Sequence, residues 1–149
     1  MPKGKNFMNE DKIFADTNVL VYGHDADAGQ KHAVARGILE ELWDQHAGVL
    51  SVQVLQEFYV TMTRKVLHPL PPNKVRNIIQ DYFTWHIEVN DPSSVLVASR
   101  IEGNYRISFW DALIVASALK AKAARILTED LQAGHIIEGI PIENPFSKT

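Results

Sequence analysis

Cysteine is absent from the 149 residues, which excludes disulfides, a thiol nucleophile and cysteine-ligated zinc. No unbroken apolar run approaches the ~18 residues of a membrane-spanning helix. The opening Met1-Pro2-Lys3-Gly4-Lys5-Asn6 has no apolar segment behind it to make a secretory signal. The expectation is a cytoplasmic protein with no membrane partner. The six histidines never fall at H-x-x-x-H spacing, no G-x-x-x-x-G-K-[ST] loop is present to cradle nucleotide phosphates, and no G-x-S-x-G elbow presents a serine nucleophile. His24, beside Asp25 and Asp27, reads as part of a solvated polar turn. Internal repeats, low-complexity tracts and linkers are also missing.

What is present fits one domain, because 46% hydrophobic content over this length is enough for a single packed core. The net charge is −3, from 15 basic and 18 acidic residues. A nucleic-acid ligand would therefore have to be held by local basic groups and bound metal, not by a globally basic surface. Arg64, Lys65, Lys74, Arg76, Arg100 and Arg106 are the candidates, although scattered cations are more often simply solvated.

Ile13 to Ala15 is a short β-like run ending in Asp16-Thr17-Asn18, followed by Val19-Leu20-Val21-Tyr22 and a polar loop through Gly29. Helix-like segments are read at Gln30 to Gln45, at Val52 to Val66, from about Asn73 to Phe83, after Asp91-Pro92, and at Phe109 to Lys120. Strand-like segments fall at Gly48 to Ser51, near Trp85 to Val89, at Arg125 to Leu127, and around Ile140 and Ile142. His68-Pro69-Leu70-Pro71-Pro72 must interrupt the chain, and Gly103-Asn104 reads as a turn. Short strands alternating with helices predict a three-layer α/β/α domain with a central, mainly parallel sheet.

Four carboxylates stand out against this frame. Asp16 and Asp130 follow strand-like runs, where open parallel sheets place their ligand crevice. Asp111 opens a helix that is apolar on nearly every face, so its carboxylate must neutralise or find a cation unless it reaches water. Each has a plainer alternative: Asp16 as a helix N-cap, Asp111 as the third residue of a Ser108-x-x-Asp111 capping box, and Asp130 as a turn residue competing with Glu129. Glu57 lies opposite the stripe of Val52, Leu55, Tyr59, Met62 and Val66, which suits solvent or a cleft wall equally. Gathered acids repel by about 4 kcal/mol per pair at ~4 Å and an effective dielectric of ~20. A divalent cation would remove that cost.

Phe14-Ala15-Asp16-Thr17-Asn18-Val19-Leu20-Val21-Tyr22, Gln53-Val54-Leu55-Gln56-Glu57-Phe58-Tyr59, Ser108-Phe109-Trp110-Asp111-Ala112-Leu113-Ile114-Val115-Ala116 and Leu127-Thr128-Glu129-Asp130-Leu131-Gln132 occur in this order across most of the chain. In these segments the sequence resembles the PIN-domain nucleases, and among them the VapC toxins of toxin and antitoxin pairs. Residues 1–11 read as an N-terminal extension and 12–149 as the domain.

The resemblance implies a PIN-like α/β/α fold in which Asp16, Glu57, Asp111 and Asp130 converge as catalytic residues and metal ligands. It raises Glu57 from a surface residue to a ligand, a step that spacing does not supply. Many relatives carry another acid two positions after the one matching Asp130; this chain has Gln132 there, which bears on a second metal. Oxygen ligands suit Mg²⁺ or Mn²⁺. The implied activity is hydrolysis of RNA phosphodiester bonds, with Thr17, Asn18, Ser108 and Thr128 supporting the acids. Implied partners are RNA such as transfer RNA, a cognate antitoxin, and a second copy of the chain in a homodimer. Two alternatives stay open: a catalytically inactive PIN-like module that binds RNA or a partner, and, more remotely, a receiver phosphorylated on aspartate.

Overall fold

The computed structural model describes residues 11–147. The expected N-terminal extension, apart from Asp11, lies outside them. The chain runs β1 (Ile13–Ala15), α1 (Thr17–His24), α2 (Gln30–Asp44), β2 (Gly48–Ser51), α3 (Val52–Arg64), α4 (Pro72–Asp81), β3 (His86–Glu88), α5 (Pro92–Tyr105), α6 (Phe109–Lys120), β4 (Arg125–Leu127), β5 (Ile136–Ile137) and β6 (Ile140–Glu143). The sheet order is β3-β2-β1-β4-β6-β5, parallel throughout except for the terminal β5–β6 hairpin. This is the mainly parallel α/β domain expected from the sequence.

Right-handed crossovers explain the layers. The chain steps outward from β1 to β2 to β3 through α1–α4, which pack on one another, then returns past β1 to β4 through the paired helices α5 and α6. The two sets therefore cover opposite faces. Helix α6 touches β2, β3 and β4 as well as α5, and Ala112 to Ala118 are all buried, as a helix apolar on nearly every face requires, with the one polar member, Ser117, donating to the Asn90 side chain at 2.8 Å.

Three local readings are corrected. The polar loop after Tyr22 is shorter than expected, because α1 runs from its Asp16 cap through His24 and a 3-10 turn follows at Ala26–Ala28. Gly103-Asn104 is not a turn: α5 continues to Tyr105 and stops at Arg106, whose φ of 58° puts it in the left-handed region. A glycine in an exposed last turn costs only ~1 kcal/mol, too little to break a helix that is otherwise packed. Strand β5 was not expected; it is created by the two-residue turn Glu138-Gly139, with φ of 53° and 82°, the backbone that joins tight hairpins.

Gly48 opens β2 beneath the indole of Trp85, and a Cβ there would lie 2.2 Å from ring carbons. Tyr82 and Trp43 stack edge-on against that ring. The amino end of the sheet is thus closed by aromatic packing. Its carboxyl end is polar.

Candidate active site

Strand β1 lies between β2 and β4, and the chain leaves it in one direction and returns on the other side. The crevice at such a switch point lies beyond the carboxyl ends of the two strands, where Asp16 follows β1 and Thr128 follows β4. Asp16 is 4% exposed. Its Oδ1 accepts from the Thr17 backbone N–H at 2.7 Å, capping α1, and its Oδ2 accepts from the Thr128 hydroxyl at 2.7 Å. The capping alternative is therefore true of Asp16 without removing it from the crevice. Burial pushes its carboxyl up to about 7; the Thr128 and Thr17 hydrogen bonds oppose this, and the charges of Asp130 and Glu57 add to it.

Asn18 clasps the loop after β4. Its amide donates to the Thr128 hydroxyl at 3.2 Å and its carbonyl accepts from the Glu129 N–H at 3.2 Å, while the Asp130 N–H donates to the same Thr128 oxygen at 3.0 Å. Glu129, the competitor of Asp130, is taken up elsewhere: it accepts from the Tyr22 hydroxyl at 2.5 Å and from Lys31 at 2.9 Å. Asp130 is exposed and in no ion pair among the described residues. Gln132 is exposed as well.

Glu57 projects from the second turn of α3. Its Oε1 accepts from the Thr17 hydroxyl at 2.5 Å and its Oε2 from the Gln53 amide at 3.2 Å. The same amide donates to the Trp110 carbonyl at 3.3 Å, just before Asp111. Ser108 caps α6 by accepting from the Asp111 N–H at 3.0 Å. Asp111 is half-buried, because the apolar wrapping begins only at Ala112 while Trp110 is 62% exposed. Burial raises the Asp111 carboxyl, the Ser108 hydroxyl opposes this, and the charges of Asp130 and Glu57 raise it further.

The charges of Asp130 and Glu57 thus act on both Asp16 and Asp111. Among the described residues no three histidine, aspartate or glutamate side chains are drawn into a ready-made metal cluster. The donor chemistry nevertheless fits a hard divalent cation: carboxylate oxygens, with none of the four in an ion pair among the described residues. The amino ends of α1, α3 and α6 meet here, and their dipoles favour anions. An open groove of about 770 Å³ extends from Thr17, Asn18, Glu57 and Asp130 to Lys65 and Leu67. Of the six basic residues singled out in the sequence, Lys65 lines it.

Sequence reading missed Gln53 and the Tyr22–Glu129–Lys31 contact. Gln53 carried one signal, its i, i+4 spacing from Glu57 on a helix; the other contact spans about a hundred residues and had none. His24 is also corrected. It ends α1 half-buried, hydrogen-bonded to the Tyr82 hydroxyl at 2.8 Å, and burial holds it down at about 4.

The sequence profile of the PIN domain matches residues 13–136. The chain belongs to the PIN domain family. Solved structures similar to this PIN domain include a toxin-antitoxin complex from Klebsiella pneumoniae, 18% identical with a TM-score of 0.65, covering 93% of this chain and 100% of that one. Another is VapC20 of Mycobacterium tuberculosis, a Sarcin-Ricin loop cleaving toxin, 20% identical with a TM-score of 0.61, covering 77% of this chain and 87% of that one. A third is DNA-bound VapBC from Salmonella typhimurium, 16% identical with a TM-score of 0.65, covering 91% and 98%. At these identities the likeness concerns the fold. No curated protein sequence matches the chain. Among the described residues no helix is long and apolar enough to cross a membrane.

Proposed function

We propose that this PIN domain is a Mg²⁺- or Mn²⁺-dependent endoribonuclease acting as the toxin of a toxin and antitoxin pair in the cytoplasm. One observation carries the reading: at the sheet's switch point the charges of Asp130 and Glu57 act on both Asp16 and Asp111, and none of the four acids is in an ion pair among the described residues. A structural acid cluster has no use for that arrangement, since it raises carboxyl pKa values and leaves repulsion unrelieved. The similar toxin structures support the biological half of the proposal.

Asp16, Glu57, Asp111 and Asp130 would hold the cation, which when bound supplies neutralising charge, a more acidic water and stabilisation of the leaving 3′ oxygen. The chain's own groups do the positioning. Thr128 and the Thr17 N–H fix both Asp16 oxygens, the Thr17 hydroxyl donates to Glu57 and so orients its carboxylate, and Ser108 sets the first turn of α6 beneath Asp111. RNA would lie in the groove that ends at Lys65, with single-stranded loops favoured because their bases and 2′-hydroxyls are accessible. A cognate antitoxin, a second copy of the chain and an RNA such as transfer RNA are the expected partners.

The test is a map of RNA 5′ ends in cells after brief induction of the wild-type chain, with folded Asp111→Asn as control. New 5′-phosphate ends at a few sites in wild type alone are expected. Identical maps from two folded, antitoxin-free proteins would overturn the nuclease and leave the RNA- or partner-binding module.

A further inference from the structure

We propose that Gln53 is a positioning residue that fixes Glu57 and the first turn of α6 relative to each other, and so sets the ligand geometry for a divalent cation. This rests on the metal-dependent reading above and adds a residue to it. Gln53 is 6% exposed, and a buried amide is normally kept for its hydrogen bonds. Its Nε2 bridges the Glu57 carboxylate at 3.2 Å and the Trp110 carbonyl at 3.3 Å. Its Oε1 is buried and has no partner among the described residues. Turning the amide over would set that oxygen against two acceptors, so the orientation is fixed by the neighbours it serves.

The two hydrogen bonds identify what the residue is for. Gln53 joins the helix bearing Glu57 to the turn bearing Asp111. Asn18 is its counterpart across the crevice, joining α1 to the loop that bears Asp130. Two amides thus tie four acids into two braced pairs. An amide suits the task where Lys or Arg would not, because it grips a carboxylate without neutralising it.

The experiment titrates Mn²⁺ into wild type, Gln53→Met, Glu57→Gln and the double variant by calorimetry, with thermal melts in EDTA on each. Met fills similar volume and removes the unmet oxygen. The expected result is an unchanged or slightly raised Tm for Gln53→Met, Mn²⁺ affinity lower by about tenfold, the lower end for groups that support a metal ligand, and no further loss when Gln53→Met is added to Glu57→Gln. On RNA, kcat should fall with KM unchanged. Undiminished Mn²⁺ affinity in folded Gln53→Met, or a full additional loss in the Glu57→Gln background, would overturn the proposal while leaving the nuclease reading intact. A wild type that binds no Mn²⁺ overturns both. If Gln53→Met does not fold, Gln53→Leu takes its place under the same criteria, and failure of both to fold assigns Gln53 to stability and overturns the proposal.

Discussion

Two acidic clusters in this PIN domain have been resolved in opposite ways. At the end of β3, Glu88 accepts from His86 at 2.9 Å and lies 3.5 Å from Lys120, whose ammonium also reaches Asp91 at 3.0 Å and the Val89 carbonyl at 3.0 Å. There the hydrogen bond from Ser93 and the Lys120 charge hold the Asp91 carboxyl well below the usual range. In the crevice at β1 and β4 the donors to Asp16 and Glu57 among the described residues are neutral, and the Asp16 and Asp111 carboxyls are raised. The chain can build a resident counterion and does so where acids serve structure. That none of the four crevice acids is in an ion pair among the described residues is what supports a binding role there.

The largest effect expected from this contrast is on activity. Asp111→Asn removes one charge while the α6 cap, made by the Asp111 backbone N–H, is untouched. RNA cleavage should fall by more than ~100-fold, beyond what loss of a supporting group produces, with the circular dichroism spectrum and Tm preserved. A variant that loses its fold would instead make Asp111 structural.

Stability should respond to cations in the same sense. Asp16 has a folded pKa of about 7 against 3.8 for the free side chain, so the metal-free protein gains stability from the protonated group below about pH 4 and loses it as pH rises through about 7. His24, held down at about 4, works oppositely and loses stability as pH falls from about 6.5 towards 4. The comparison is therefore wild type with Asp16→Asn in EDTA: the wild-type contribution should shrink from about pH 4 to about pH 7 and then level off. At pH 8, Mn²⁺ at ~100 times its Kd should stabilise wild type by about 2.7 kcal/mol, or ~5–10 °C in Tm for a chain of this size. An equal response in Asp16→Asn would detach the site from that carboxylate.

How much of this could be read in advance follows from where the signals lie. The boundaries of β2, α6 and β4 were legible because each has an apolar centre closed by polar residues. Asp16 and Asp130 were legible as candidates because strand ends in a parallel sheet are where ligands gather. Glu57 was not legible from periodicity, since solvent and a cleft wall leave the same mark on a helix; its two hydrogen bonds, from Thr17 and Gln53, appear only when α1 and α3 meet. The capping of Asp16 and Ser108 was weighed as an alternative to function, yet capping uses one set of bonds and leaves carboxylate lone pairs free. Gly48 carried no sequence signal for its contact with Trp85, which depends on the β2–β3 register.

A more direct way to break the contrast is to move a cation into the crevice. Gln53→Lys would stand four residues before Glu57 on the same helix face, a spacing at which opposite charges pair. It should imitate Lys120: Tm in EDTA rises, the Mn²⁺-induced shift is lost, and RNA cleavage disappears. Melts with and without Mn²⁺ decide it. A retained Mn²⁺ shift would mean that the ion binds away from Glu57.

The smallest effect belongs to the converse change, Lys120→Met, which leaves Glu88, 9% exposed at the end of β3, without its ammonium partner. The lysine side chain is 43% exposed, so screening by water limits what the pair contributes. A modest fall in Tm is expected, smaller than the Mn²⁺ effect in the crevice and further reduced at high salt. Mn²⁺ affinity and RNA cleavage should be unchanged, because Lys120 closes α6 at the end away from Asp111. A parallel loss of Mn²⁺ affinity would show that the two clusters are coupled through α6 and that the paired cluster also helps to hold the open one in place.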